Sequence, residues 1–326
     1  MKSLALLSGG LDSILAIKLI QNQGIDVVAL NFSSSFWSSS KNIDWVKEIT
    51  KKLKVPLITV ELKEDYLKII RKPKYGYGKN MNPCIDCKIF MLKKAKKIAE
   101  EIGASFIFTG EVLDERPKSQ HRETLEIIEK ESCLKRKLLR PLSAKLLPET
   151  EAEKKGWADR EKLLDIRGRQ RKRQMQLAKE FGIDRYPTPS GGCLLTYKEF
   201  SKKLRDLLEH EKTVKMKDIE LLKIGRYFRF GKNKIIVGRN EVENKQLIKM
   251  REKDDYYFEV SDYVGPITLL QGPKTKEAIE KAASLTARYS DVKEKKFSVK
   301  FGKEKLNKII IVTPISEENI EEMRIT

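Results

Sequence analysis

The chain has 326 residues, 40% of them hydrophobic and 35% charged, with a formal charge of +20 and a sequence pI near 9.6. That length allows about two domains, each large enough to bury a core without staples. No stretch approaches the roughly 18 to 20 apolar residues of a membrane span, and the two histidines, His121 and His210, leave little for a His-rich metal site or a catalytic triad.

The amino terminus, MKSLALLSGGLDS, reaches a Gly-Gly turn after a short apolar run and offers no small-residue cleavage site. No signal peptide is expected, and cytoplasmic residence is the default. In a reducing compartment, four cysteines are seldom structural disulfides. Lys plus Arg number 67 against 47 Asp plus Glu, which predicts a polyanionic partner. Nucleic acid comes before a membrane surface because no amphipathic anchor is evident. A Lys- and Glu-rich thermophile surface would explain many of these charges, but not the surplus.

In chain order, SLALL (3–7) reads as a strand, LDSILAIKLIQNQG as a helix ending at Gly24, and DVVALNF (26–32) as a second strand. A helix near 41–54 precedes the strand PLITVEL (56–62), a Lys-rich amphipathic helix spans 86–102, and SFIFTG (105–110) follows as a strand. KLLRPLS (137–143) supplies a fifth. Short apolar runs alternating with helices predict an α/β fold, a Rossmann-like parallel sheet. From about 143 to 182 the pattern turns helical, with Thr150 and Glu153 at capping-box spacing and a strongly basic helical region after them. YPTPSGGCLL (186–195) reads as a functional loop and 199–220 as a charged helical connector. Strand pairs then predominate, beginning with a hairpin turning at 231–233 and followed by YYFEV, PITLL, a helix near 274–289, KFSVKF and NKIIIVTP. The domains expected are residues 1–200 and a smaller α+β domain over 215–326.

SGGLDS (8–13) sits where the first strand hands over to the first helix. Gly9 and Gly10 let the backbone turn sharply and approach a ligand, and N–H groups of the loop and helix start form a nest for phosphate oxygens. Ser8 and Ser13 add hydroxyl donors. The stretch is neither a P-loop nor a dinucleotide fingerprint. An ordinary tight βα turn would also favour glycine, but the position before a helix favours phosphate.

Ser8-Gly9-Gly10-Leu11-Asp12-Ser13 resembles the signature of the PP-loop ATP pyrophosphatases, which split ATP between its α- and β-phosphates and adenylate a substrate. The resemblance implies that the loop holds pyrophosphate, that Asp12 organises Mg²⁺, and that Asn31, Phe32 and Ser33 lie near adenine. Gly110 and Glu111 of TGE end the fourth strand, at the edge where open α/β sheets bind ligands. LRPL (139–142) resembles the family's late motif, which makes Arg140 a candidate for charge stabilisation.

NPCIDCK, TGEVLDERPKSQ, LLRPLSAKLLPET and YPTPSGGCLL together resemble the tRNA-thiolating branch, related to 4-thiouridine synthases and 2-thiouridylases, over roughly residues 1 to 200. The last third more loosely resembles an NFACT-type RNA-binding domain. No THUMP or rhodanese domain is recognisable. Cys84 and Cys87 are read as lying before a helix, and Cys193 follows two glycines that let its loop fold toward them. Three thiolates can bind three irons of a [4Fe–4S] cluster and leave the fourth open for sulfide, as the resemblance to cluster-dependent tRNA thiolases implies. A Cys84–Cys87 redox couple with Cys193 as persulfide carrier, or a zinc site, stays open. Cys133 sits in a charged connector with no special role.

RGRQRKR (167–173) contains Arg167, Arg169, Arg171, Lys172 and Arg173, and is expected to contact RNA phosphate, with a solvated helix face as the alternative. Arg226 and Arg229, on the hairpin, are further RNA candidates. KYGYGKN (74–80) reads as a mobile loop that either stacks on an unstacked base or lies on the surface. Arg116, Ser119 and Gln120 either contact ATP or substrate or fix their loop.

The function expected is an ATP-dependent tRNA sulfurtransferase that adenylates a uridine carbonyl and exchanges the oxygen for sulfur, using ATP, Mg²⁺ and a [4Fe–4S] cluster. Its sulfur donor would be sulfide or a persulfide-carrying protein. The alternatives are a PP-loop sulfurtransferase acting on a small cofactor, and a non-catalytic nucleotide- and RNA-binding protein with a zinc site. Nothing in the sequence fixes an oligomeric state.

Overall fold

Short apolar runs become the parallel strands β1 (Lys2–Leu6), β2 (Asp26–Ser34), β3 (Leu57–Leu62), β4 (Phe106–Thr109) and β5 (Leu138–Leu139). They alternate with α1 (Leu11–Gln21), α2 (Lys41–Leu53), α3 (Glu64–Arg71), α4 (Cys84–Glu101) and α5 (Arg122–Glu131), followed by α6 (Glu151–Lys154) and α7 (Lys172–Glu180). The sheet order is β3-β2-β1-β4-β5. Leu4 of β1 lies opposite Val28 of β2 and opposite Ile107 of β4, so the chain reverses its direction of sheet growth at β1. The crevice between the carboxyl ends of β1 and β4 is therefore the topological switch point, where such sheets bind ligands. α1 is apolar nearly all round because it is buried against both the sheet and α7, whose Ala178 joins its core.

The computed structural model describes residues 1–37, 41–187, 192–261, 263–291 and 296–325. It divides into two units, Met1–Thr196 and Tyr197–Thr326. The second begins with α8 (Lys198–His210) and α9 (Met216–Leu221). Its strands are β6 (Arg226–Phe230), β7 (Asn233–Val237), β8 (Tyr256–Val260), β9 (Thr268–Gln271), β10 (Phe297–Gly302) and β11 (Lys308–Val312). They form one antiparallel sheet, ordered β11-β10-β8-β9-β7-β6. Gly231, at φ 54°, supplies the left-handed residue that the two-residue β6–β7 turn needs. α10 (Glu241–Met250), α11 (Lys276–Arg288) and α12 (Glu317–Met323) complete the unit, and α11 packs Ala278, Ala282 and Leu285 onto Phe258, Leu270 and Val299. Among the described residues no helix is long and apolar enough to cross a membrane.

Several expectations change. α4 begins at Cys84 itself, so the two cysteines occupy its first turn rather than preceding it. The basic region is not continuous helix: 163–171 is irregular and only 172–180 is helical. The charged connector is two helices that belong to the second unit. The loop 74–80 is tied down rather than free. The N–H groups of Lys74 and Tyr75 donate to Asp86, at 2.8 and 3.1 Å, and the Tyr77 hydroxyl donates to Ile70 O at 2.6 Å. Residues 188–191, part of the Pro/Gly-rich loop read as functional, lie outside the described residues.

Candidate active site

The turn after β1 is held from inside and outside. Gly9 adopts φ 81°, which a side chain would disfavour, and its carbonyl accepts from Trp45 Nε1 at 2.8 Å. Ser13 Oγ donates to Gly10 O at 2.8 Å and lies 3.2 Å from Ser8 Oγ. Asn31 and Phe32, expected near adenine, are buried at the end of β2, where Asn31 Nδ2 donates to Leu7 O at 2.8 Å. Ser33 remains half-buried, and Leu11 is wholly core. Gly110 is needed for close approach: a Cβ there would lie 2.5 Å from Asp12 C and O and from Ser13 Cα. β4 therefore delivers its TGE end directly against the loop.

Burial raises the pKa of Asp12, and Arg171, Gln174 and Arg116 work against it. Arg171 Nη2 stands 3.6 Å from Asp12 Oδ2, whereas Asp12 Oδ1 is buried with no hydrogen-bond partner. Burial also raises Glu115, helped by the charge of Asp12. Burial would raise Glu111 too, but Lys88 and Arg140 outweigh it and hold that carboxyl down to about 2. Glu111 is paired with Lys88 and accepts from Arg140 Nε at 3.1 Å and Thr109 Oγ1 at 3.2 Å. Arg140 is buried and also clamps Glu129, so its guanidinium fixes the β4 end with two nitrogens while Nη2 has no hydrogen-bond partner.

The thiols gather around the start of α4. Cys84 and Cys87 sit one turn apart on one face of α4. Cys84 Sγ donates to Asn82 Oδ1 at 2.8 Å, and the buried Tyr66 hydroxyl donates to Cys87 Sγ at 3.0 Å. Cys193 forms an antiparallel bridge with Trp37, and Leu194 N donates to Phe36 O at 2.8 Å. From the other side, Met81 N donates to Leu195 O at 3.1 Å and Asn80 Nδ2 to Thr196 O at 2.7 Å. Burial pushes Cys87 up to about 12, and the charges of Cys193 and Cys84 add to that rise. Burial likewise pushes Cys193 up to about 11, with Cys84 adding. The three sulfurs thus share one neighbourhood. Among the described residues, however, no group of three or more His, Cys, Asp and Glu stands in a metal-holding arrangement. Cys133 is exposed, in the left-handed backbone region after α5.

Residues 1–145 match the family described as thiamine biosynthesis protein (ThiI), and residues 225–324 match the NFACT protein RNA binding domain. The two matches fall on separate stretches of the chain, the first within unit one and the second within unit two. A probable tRNA sulfurtransferase of Thermococcus kodakarensis is 33% identical over 150 residues, covering 43% of this chain and 36% of the relative. A tRNA-specific 2-thiouridylase, MnmA 2 of Fusobacterium nucleatum, is 30% identical over 108 residues, 32% of each chain. The chain spans about a third of the length of these relatives. Among solved structures, a 4-thiouridine synthetase–RNA complex with bound ATP aligns at 22% identity and TM-score 0.39, covering 68% of this chain and 52% of that one. The U34-tRNA thiolase NcsA of Methanococcus maripaludis, with its [4Fe-4S] cluster, aligns at 17% identity and TM-score 0.37, covering 68% and 73%.

The basic residues singled out for RNA divide into two groups. In the first unit, Arg169, Lys172 and Arg173 are exposed, with Arg173 paired to Asp165. Arg167 is exposed but bonded to Asp114 at 2.6 Å. Arg171 turns inward to Asp12, because the strap that carries it is pinned to Leu113 by a bridge at Arg167. In the second unit, Arg229 is drawn into a nearly buried pair with Asp206, and Arg226 stacks 4.4 Å over Tyr289. Both therefore serve internal contacts. Sequence reasoning missed Lys88, Trp45, Tyr66, Glu115 and Gln174. Of these, only Lys88 and Glu115 carried a signal, as members of NPCIDCK and TGEVLDERPKSQ.

Proposed function

We propose that the chain is an ATP-dependent tRNA sulfurtransferase that converts a uridine to a thiouridine. One observation carries the reading. Lys88, which follows Cys87 on α4, is ion-paired to Glu111, and the adjacent Gly110 lies directly against the Asp12 backbone. The thiol-bearing helix and the Ser8–Ser13 loop therefore meet at the end of β4, and activation and sulfur delivery need one shared site. The match to tRNA sulfurtransferases and 2-thiouridylases supports the substrate class. The RNA-binding family over 225–324 and the exposed Arg169, Lys172 and Arg173 support an RNA partner.

In this reading, loop N–H groups and the hydroxyls of Ser8 and Ser13 hold the ATP phosphates. A uridine splayed from its stack offers its carbonyl oxygen, which attacks the α-phosphorus as pyrophosphate leaves with the electron pair of the broken bond. A sulfur nucleophile then adds to the activated ring carbon and AMP departs with its oxygen. Asp12, with its unpartnered Oδ1 and Glu115 nearby, offers hard oxygen donors that suit Mg²⁺, whose charge would offset that of the phosphates. Cys84, Cys87 and Cys193 offer a soft donor set that suits a [4Fe–4S] cluster, which would supply an open iron for sulfide. Burial, with the charges of the neighbouring cysteines, favours the protonated thiol at Cys87 and Cys193. A bound cationic group would draw those protons off, which favours the cluster over free persulfide chemistry. The sulfur donor would be sulfide or a persulfide-carrying protein, and the compartment the cytoplasm.

The test is anaerobic incubation of the protein with ATP, Mg²⁺, sulfide and unmodified tRNA, followed by nucleoside analysis. Thiouridine and AMP should appear together, and Asp12→Ala should abolish both. RNA binding with no AMP release in any condition would leave a binding protein instead.

A further inference from the structure

Four of the described buried side-chain atoms that lack a hydrogen-bond partner crowd around one carboxylate. They are Asp12 Oδ1, Arg171 Nε, and both Gln174 Nε2 and Oε1. Gln174 is fully buried and close enough to lower the pKa of Asp12, yet neither of its side-chain atoms reaches hydrogen-bond geometry. Native proteins seldom leave such atoms unsatisfied, and a cluster of them against a phosphate-binding turn marks a place where a polar ligand belongs.

Arg171 is held there by the backbone. The strap before it is tied down by Gly168 N donating to Leu113 O at 2.8 Å and by the Arg167–Asp114 pair. Immediately after it, α7 starts at Lys172 and packs on α1. Its side chain is only 16% exposed, although its neighbours Lys172 and Arg173 face solvent. Its contact with Asp12 uses one nitrogen at 3.6 Å and leaves Nε idle. A guanidinium is a planar fork suited to two oxygens of one group, and here it makes poor use of the Asp12 carboxylate.

We propose that Arg171 is a polyphosphate ligand, and that its guanidinium exchanges the Asp12 carboxylate for phosphate oxygens of ATP bound on the Ser8–Ser13 loop. The exchange frees Asp12 to face the cation that accompanies the phosphates. It also withdraws Arg171 from the RNA surface to which its basic neighbours belong. The inference rests on the ATP reading above. It adds that affinity depends on the β- and γ-phosphates through this residue.

Calorimetric titration of the full chain with a non-hydrolysable ATP analogue, pyrophosphate and AMP, each with Mg²⁺, tests it. Arg171→Ala should weaken the ATP analogue and pyrophosphate by about 10- to 100-fold and leave AMP unchanged. Lys179→Ala, exposed near the far end of α7, should bind all three as the wild type does. Unchanged ATP affinity in a folded Arg171→Ala protein would overturn the proposal. So would an equal loss for ATP and AMP, which marks a structural role. If Arg171→Ala does not fold, Arg171→Lys and Arg171→Gln carry the same comparison. If the wild type binds none of the three ligands, the ATP reading itself fails; if it binds them and the variants match it, only the role of Arg171 fails.

Discussion

Gly110 shows how much one missing methyl group can decide. A Cβ would press within 2.5 Å of the Asp12 and Ser13 backbone, which cannot swing aside as a long side chain could. Gly110→Ala should therefore cost about 1 to 3 kcal/mol in stability by overpacking and displace the Ser8–Ser13 loop. Thermal melting with ATP titration checks this, and wild-type values in both would contradict it. Glu111 gives a pH signature. Its carboxyl stands near 2 in the fold against an ordinary 4.5, so the unfolded chain binds its proton first as pH falls. Its stabilising contribution is complete above about pH 4.5 and drains away between 4.5 and 2. Glu111→Gln should lose stability on the order of 3 kcal/mol at neutral pH, because Lys88 and Arg140 lose their shared counter-charge. The gap to wild type should narrow in acid denaturation curves below pH 4.5; a constant gap would show that the charge is not the cause.

At the scale of elements, what was legible was local. The Gly-Gly turn after an apolar run announced the β1–α1 loop, and short apolar runs announced most strands. Thr150 and Glu153 did form their capping box, with Glu153 accepting from Thr150 N at 2.8 Å. Other caps were present but unread. Asn240 accepts from Glu243 N at 3.0 Å to start α10, and Pro83 immediately precedes α4. The basic run misled because charge density says nothing about register against a sheet. A bridge at Leu113 and the packing of α7 decide that Arg171 points inward while Arg169, Lys172 and Arg173 do not. Reversing the charge of those three exposed residues should weaken tRNA binding. It should also flatten the slope of log affinity against log salt by about one for each phosphate no longer neutralised. Unchanged affinity and slope in a filter-binding series would return them to an ordinary solvated surface.

At the scale of the whole chain, the arrangement follows from two cores that each close on their own sheet. The parallel sheet places the turn after β1, the end of β4 and the start of α4 where a nucleotide, a cation and thiols can be served by a few shared charges. The convergence of Cys193 with Cys84 and Cys87 could not be read from spacing alone. It depends on hydrogen bonds from residues 36 and 80–81, far apart in sequence. The surplus of 20 positive charges is a property of the whole molecule and points to a polyanion without naming one.

The central claim is that nucleotide activation and sulfur delivery share one site but use different residues. Cys193→Ala tests it most directly, in an anaerobic single-turnover reaction with ATP, sulfide and tRNA, following pyrophosphate and thiouridine together. The account predicts tRNA-dependent pyrophosphate release close to wild type with no thiouridine formed. Thiouridine formed at the wild-type rate by this variant would contradict it.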